Sequence, residues 1–428
     1  MASGSSPELV FRASAPASFA AWRAQPGYSF SAAAGPLPAA VANEVAEACR
    51  PGPGSILSLP FTSSAYRELQ AGAEACLRRL LAIPDAFAVL FLAGGASAQF
   101  ALVPMNLLGG DEEEGDFGGV QAWSADGRQD GGPLDVARTG PARALYIDSG
   151  HWSRRAIAEA RRCAAIETIE LNALGHDDDG PCIPAARAER GGRRLAYVHL
   201  TANETADGLQ FPALPKTAAP LVADLSSELL TRPLDWRRLG LAYAGTQKTV
   251  GTPGLTLVIV RRDLLGDARS GIPRLGDYAA QAAAESRLCT PPVLPVFVAH
   301  RMLHWIEAAG GVAAMQARLD GRHALLAAAL AEGEAAGLYR PTAPAGWRSR
   351  VNPCFQLPDV DTTARFLAAA EAAGLRDLRG HPERGGVRIS LYNGLADAAV
   401  EALAAFLARF ARATVPARAV PAGTGVLA

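Results

Sequence analysis

Residues 221–251 read LVADLSSELLTRPLDWRRLGLAYAGTQKTVG. Two short apolar runs stand in this stretch, Leu221–Leu225 and Leu241–Ala244. Each is bounded by polar and turn-forming residues, as expected of a strand buried on both faces of a parallel sheet. Asp224 lies near the end of the first run, and Lys248 follows the end of the second. Open α/β sheets bind ligands beyond the carboxyl ends of their strands, so both side chains fall where a ligand would sit.

The same pattern extends outward. Ala88–Leu92 (AVLFL), Leu145–Ile147, Leu195–Leu200 and Leu255–Val260 read as further strands. Helical spacing runs from Tyr66 to Ile83, from Ser97, and from Ser153, and Pro38 opens another helical stretch that ends at Cys49. Strands alternating with helices make βαβ units, so the predicted fold class is α/β with a mainly parallel sheet. Beyond residue 300 the chain becomes Ala-rich. Helices are predicted over Val298–Ala308, Val312–Ala336, Thr362–Ala373 and Ala396–Arg412, with a strand at Val387–Leu391. The expected organisation is a large domain over 46–310 and a smaller α+β domain over 311–428, with segment 28–45 packing against the small one. Residues 1–27, rich in Ala, Ser and Pro, are expected to form a poorly ordered extension. Residues 111–142 open on Asp111-Glu112-Glu113-Glu114 and are expected to form a flexible insertion.

Composition narrows the function. The chain has 428 residues, 49% of them hydrophobic and 19% charged, enough for a large core and too apolar for general disorder. With 41 basic against 42 acidic residues there is no overall field to attract nucleic acid. No apolar run reaches the roughly 20 residues that cross a bilayer. The six cysteines are scattered without CxxC or zinc spacing, which predicts a reduced, cytoplasmic chain and no metal site.

Only two lysines occur, Lys216 and Lys248, among 41 basic residues. Arg stays charged, whereas a desolvated Lys amine can lose its proton and attack a carbonyl. Lys216 lies in the Pro-bounded stretch 212–220, a surface loop. Lys248 and Asp224 together make the pair that a pyridoxal phosphate site needs: an amine for the aldehyde, and a carboxylate that keeps the ring nitrogen protonated. Gly94-Gly95-Ala96-Ser97, after the AVLFL strand, would bring backbone N–H groups to a phosphate at a helix start. Trp152, in Asp148-Ser-Gly-His-Trp152 after another strand, offers an aromatic face. Each of these also fits a plainer reading as a strand-to-helix turn or a core tryptophan. His300 and His304, four apart on a helix, read as core or surface histidines, and Asp177-Asp178-Asp179 as a solvated loop.

Taken in order, these features resemble the phosphoserine aminotransferases, class V members of the fold type I pyridoxal phosphate enzymes. The most specific matches are Asn203-Glu-Thr-Ala-Asp-Gly208, Ala223-Asp-Leu-Ser-Ser227, Tyr243-Ala-Gly-Thr-Gln-Lys248, Cys289-Thr-Pro-Pro292, Arg348-Ser-Arg-Val-Asn352 and Gly385-Gly-Val-Arg-Ile-Ser-Leu-Tyr-Asn393. The resemblance spans about residues 28 to 412. It implies ping-pong transamination with Lys248 as the covalent amine, Asp224 on the ring nitrogen, Trp152 stacked on the ring and Thr205 on its hydroxyl. It further implies Ala96, Ser97 and Gln247 on the cofactor phosphate, and Thr290 reaching that phosphate from the partner of a homodimer. Arg388 would hold the substrate carboxylate.

The chain also departs from the family. Cys289 stands where an Asn is usual. A Ser-His-Arg stretch that helps bind the substrate phosphate is replaced at Phe61 and Thr62. Near the C-terminus His381 is kept, but its following Arg is Pro382. Charge-assisted hydrogen bonds are worth about 1.5–3 kcal/mol each, so losing two would weaken a phosphorylated substrate by about a hundredfold or more. Arg67 and Arg384 lie near enough in sequence to substitute. Two readings of the substrate therefore stand: phosphoserine with a rearranged anion site, or a non-phosphorylated amino acid. Cysteine desulfurases share the fold and use a loop cysteine, for which Cys354 is the candidate. A protein of this fold that binds without turnover is a third possibility, opposed by the intact Lys248 and Asp224.

Overall fold

The computed structural model describes residues 27–109, 143–178, 180–188, 195–266, 268 and 271–415. The predicted extension 1–27, apart from Gly27, and the predicted insertion 111–142 lie outside the described residues.

A seven-stranded sheet forms the centre. Its spatial order is Phe87–Ala93, Leu255–Arg261, Leu239–Gly245, Leu221–Asp224, Leu195–Thr201, Arg143–Asp148 and Ile166–Glu170. Six of these strands run the same way, and Leu255–Arg261 opposes both of its neighbours. The exception follows from loop length. Residues 246–254 are too few for the helical crossover that a parallel return needs, so the chain turns straight back.

Side chains alternate across this sheet. Val89, Phe91, Leu145 and Ile147 enter one core, with Ala73 and Leu77 from helix Ser64–Leu81 and Ala299 and Leu303 from helix Val293–Ala308. Leu90, Leu92, Ala144 and Tyr146 enter the opposite core, with Phe100 and Val103 from Gln99–Leu107 and Ala156 and Ile157 from His151–Cys163. Helices on both faces explain why the strands read as unbroken apolar runs. Ser63 starts helix Ser64–Leu81 by accepting the Tyr66 N–H at 3.2 Å. Helix Val293–Ala308 begins five residues before the predicted Val298. Pro295 argues against helix in the sequence, yet it falls in the first turn, where no N–H is required.

A separate core gathers Phe355, Phe366, Val387, Ile389, Leu403 and Leu407 around the antiparallel strands Arg340–Pro341, Cys354–Gln356 and Val387–Arg388. The predicted strand Val387–Leu391 keeps regular pairing only at Val387–Arg388. Beyond it, Ile389 and Leu391 donate to Pro353 and Val351 without completing a ladder. Helix Gly311–Ala335 serves both units, with Val312 and Met315 in the sheet core and Leu326 and Leu330 in the second. Segment 28–45 also divides. Tyr28–Ser29 pairs with Leu375–Arg376 and Phe30 enters the second core, whereas Val41 of helix Ala39–Ala48 packs on Val298 and Met302 of the sheet unit.

Candidate active site

A cavity of about 360 Å³ opens at the carboxyl ends of the parallel strands, and Lys248, Asp224, Trp152, Thr205, Gln247, Ala96, Ser97, His381 and Arg388 all line it. Nine side chains singled out from sequence are thus brought together from positions far apart in the chain.

Lys248 sits in the turn after Leu239–Gly245. Its Nζ lies 5.6 Å from the centroid of the Trp152 indole. Burial pulls its pKa down to about 8, with the Arg388 charge adding to the fall and Asp224 and Glu204 opposing it. The loop is fixed from below: Gly35 donates its N–H to the Gln247 carbonyl at 2.8 Å. A Cβ at Gly35 would fall 2.2 Å from the Lys248 carbonyl oxygen, so only glycine lets the N-terminal segment come this close. Asp224 is buried and accepts the Ser226 N–H at 2.9 Å. Burial pushes its carboxyl pKa up, against the pull of Ser226, Lys248 and Tyr243.

Trp152 owes its place to two acidic residues that sequence reading quoted only as part of a motif. Glu204 accepts the N–H groups of Trp152 and Ser153, each at 2.8 Å, and the Ser149 hydroxyl at 3.1 Å. Asp207 accepts the His151 N–H at 2.8 Å. Both carboxylates therefore face the N-terminal turn of helix His151–Cys163, where free N–H groups and the helix dipole favour negative charge. Trp152 Nε1 donates to Thr205 Oγ1 at 2.9 Å, which leaves the threonine proton for another acceptor.

Arg388 is the only guanidinium among the lining residues. Its Nη1 donates to the Thr205 carbonyl at 3.2 Å, and its Nε is buried without a partner. A polar lattice holds its strand to the sheet unit: Asn203 bonds Asn352 at 2.8 Å and Ser349 at 2.6 Å, and Asn352 bonds Ser390 at 3.0 Å. His381 closes one side of the cavity and lies 4.2 Å, ring to ring, from His151. Burial lowers its pKa, helped by the charges of His151 and Arg388. His151 in turn meets Glu383 at 3.0 Å.

Phe61, Thr62 and Thr290 do not line this chain's cavity. Phe61 packs against the sheet core, and Thr62 and Thr290 are exposed. Neither arginine proposed as a substitute reaches it either. Arg67 donates to the Thr62 carbonyl at 2.8 Å, and Arg384 is held by Asp207 at 2.7 Å. Cys354 is a half-buried thiol 3.9 Å from the Thr205 carbonyl oxygen, and desolvation pushes its pKa up to about 12. A sulfur acceptor needs a lowered pKa, so the desulfurase reading has no support here. Lys216 pairs with Asp177 at 3.0 Å, a surface role.

The donor set fits pyridoxal phosphate. An amine with a depressed pKa, a buried carboxylate, an aromatic face and a threonine hydroxyl with a proton to give converge on one cavity. Thr201 adds a buried hydroxyl without a partner, and a Cβ at Gly94 or Gly95 would meet open space within 4 Å, so the turn leaves room for an anion. Fold and site together define a pyridoxal phosphate-type aminotransferase.

Comparison with known proteins narrows the class. Residues 139–403 match the aminotransferase class-V family. Phosphoserine aminotransferase of Laribacter hongkongensis is 38% identical over 388 residues, 90% of this chain and 98% of that protein. That of Geobacillus kaustophilus is 37% identical over 84% of this chain and 90% of its own length. The crystal structure of phosphoserine aminotransferase from Bacillus circulans subsp. alkalophilus superposes with a TM-score of 0.76 at 30% identity, covering 91% of this chain and 99% of that one. The chain belongs to the phosphoserine aminotransferase family of class-V aminotransferases.

Proposed function

We propose that this protein transfers an amino group from phosphoserine to 2-oxoglutarate, or in reverse, with pyridoxal phosphate held at Lys248. The placement of Lys248, Asp224, Trp152, Thr205 and Arg388 around one cavity carries the amino-transfer chemistry, and the likeness to phosphoserine aminotransferases over nine-tenths of the chain supports the phosphorylated substrate. The cofactor supplies an aldehyde and a ring that accepts electrons. When it is bound, Lys248 would hold it, Asp224 would keep its ring nitrogen protonated, Trp152 would cover one face and Thr205 would donate to the ring hydroxyl. The backbone at Ala96 and Ser97, at a helix start, and the Gln247 side chain would hold the cofactor phosphate.

Lys248 Nζ would hold and return the proton. A pKa near 8 lets the same amine accept and return a proton close to neutral pH. Arg388 orients the substrate through its carboxylate by paired N–H bonds, and serves either partner of a ping-pong cycle because both carry that group. His381 lies on the same wall and contributes a donor to the substrate. Thr290 is exposed and away from its own chain's cavity, which suits a role at a partner's cofactor phosphate in a homodimer. The scattered cysteines, without CxxC or zinc spacing, suit a reduced cytoplasmic setting. Among the described residues no helix is long and apolar enough to cross a membrane.

Absorbance titration of the cofactor-loaded protein tests the substrate. Conversion of the cofactor band by low concentrations of L-phosphoserine supports the reading. Conversion only by L-serine or other unphosphorylated amino acids overturns the substrate. Failure to develop a cofactor band after loading overturns the enzyme itself.

A further inference from the structure

A buried polar chain lies beneath Asp224 on the same face of the sheet. Asp224 and Tyr243 are register partners on neighbouring parallel strands, so their side chains share one face of the sheet, and the Tyr243 hydroxyl adds to the pull of Ser226 and Lys248 against the rise of the Asp224 pKa. On its other side the Tyr243 oxygen lies 3.0 Å from His199 Nε2. All three are buried. The Tyr146 ring stacks on the His199 imidazole at 4.5 Å and 16°, which fixes the imidazole plane.

Proton counting gives the chain a direction. A phenol has one proton, and an ionised carboxylate only accepts, so the Tyr243 proton points to Asp224. The contact with His199 is then a hydrogen bond only if Nε2 carries a proton. A second observation agrees. His199 Nδ1 is buried without a partner, and a buried N–H lacking an acceptor is rarer than a bare lone pair. The proton therefore belongs on Nε2, and the sequence of donors runs His199 Nε2–H to Tyr243 O–H to Asp224. Burial holds His199 neutral, with its pKa near 3, so the chain brings dipoles to Asp224 and no competing charge.

Asp224 needs this help. Burial favours its protonated form, and a neutral carboxyl cannot keep a pyridine nitrogen protonated. We infer that Tyr243 and His199 are positioning residues that hold Asp224 as an oriented carboxylate, and through it set the protonation of the cofactor's ring nitrogen. This rests on the reading that pyridoxal phosphate occupies the cavity.

The test uses pyridoxal phosphate labelled with ¹⁵N in the ring, loaded into the wild type and into Tyr243→Phe, His199→Phe, His199→Gln and the double variant Tyr243→Phe/His199→Phe. The ¹⁵N shift reports ring protonation directly, and thermal melting confirms that each variant is folded. The wild type should show a protonated ring. Tyr243→Phe, which removes a single oxygen, and His199→Phe should shift the signal toward neutral pyridine and weaken cofactor binding about tenfold. His199→Gln keeps a donor toward Tyr243 and should stay near the wild type. The double variant should be no worse than Tyr243→Phe alone, because both act through one chain. A protonated signal unchanged in Tyr243→Phe overturns the inference while leaving the proposed function standing. Absence of bound cofactor in the wild type overturns both.

Discussion

The Nζ of Lys248 stands over the Trp152 indole, 5.6 Å from its centroid. The amine and the aromatic face thus address the same volume of the cavity, and a flat ring bonded to Lys248 would lie against the tryptophan. Stacking of this kind is worth about 0.5–1.5 kcal/mol beyond buried area. Trp152→Ala should weaken pyridoxal phosphate binding by about tenfold or more, and Trp152→Phe by less, as read from cofactor retention on dilution. In the same protein, borohydride should fix cofactor mass to the wild type and none to Lys248→Ala. Fixed cofactor in that variant would remove Lys248 from its assigned role.

The depressed pKa of Lys248 has two consequences with opposite readouts. At pH 7 about one amine in ten is neutral, against about one in several thousand for an ordinary lysine. Capture of pyridoxal phosphate by the cofactor-free protein should therefore accelerate with pH and level off above about 8. Stability follows the proton balance. Between the folded value near 8 and the ordinary 10.5, the unfolded chain binds a proton that the folded chain does not. Burying the charged amine thus costs stability fully below pH 8, and the cost fades as pH rises through that window. In urea denaturation of the cofactor-free protein, Lys248→Met should exceed the wild type most below pH 8, and the gap should narrow toward 10.5. A gap independent of pH would contradict the assignment.

Glu204 anchors Trp152 through the backbone rather than through its ring. Glu204→Ala removes the acceptor for two N–H groups and a hydroxyl, at a cost of about 1–3 kcal/mol. The melting temperature should fall, and cofactor affinity should fall with it although Glu204 does not line the cavity. Lower stability with unchanged cofactor affinity would show that Trp152 keeps its place without this anchor.

Arg388 offers a planar fork that lysine cannot copy. Arg388→Lys should raise KM for both amino and keto acid by about tenfold or more, with the cofactor spectrum unaltered. Steady-state kinetics with each substrate varied in turn will show whether the loss falls on both half-reactions. A loss confined to one of them would assign Arg388 to a group the two substrates do not share.

Cys354 lies close to the site but is held as a thiol by burial. Cys354→Ser should keep transaminase turnover within about twofold, since a half-buried thiol with weak contacts contributes packing rather than chemistry. A loss of several orders of magnitude would reinstate a chemical role for the sulfur.

The sequence carried the class of the fold because apolar runs of strand length alternate with helical spacing. It did not carry strand direction: Leu255–Arg261 reads like its parallel neighbours, and only the short connection over 246–254 distinguishes it. Lys248, Asp224 and Trp152 were legible because they stand at or just beyond strand ends, where sheet geometry places ligands. Glu204 and Asp207 escaped as anchors because their partners lie at 149–153, a proximity no periodicity encodes. Arg384 shows the reverse limit. Nearness in sequence made it a candidate for the substrate phosphate, and its bond to Asp207 turns it to another task.

Tyr28–Ser29 completes a parallel pair with Leu375–Arg376, and Ala32 and Ala33, a few residues on, form part of the cavity wall. During synthesis these residues leave the ribosome long before their partners exist. The wall of the site therefore has to wait until residue 375 has been made, and a nascent chain halted before it would hold Lys248 and Asp224 on a sheet whose pocket is still open on that side. Contacts of such long sequence range are slow to form. Late closure of this edge makes the wall of the site depend on a pairing between distant parts of the chain.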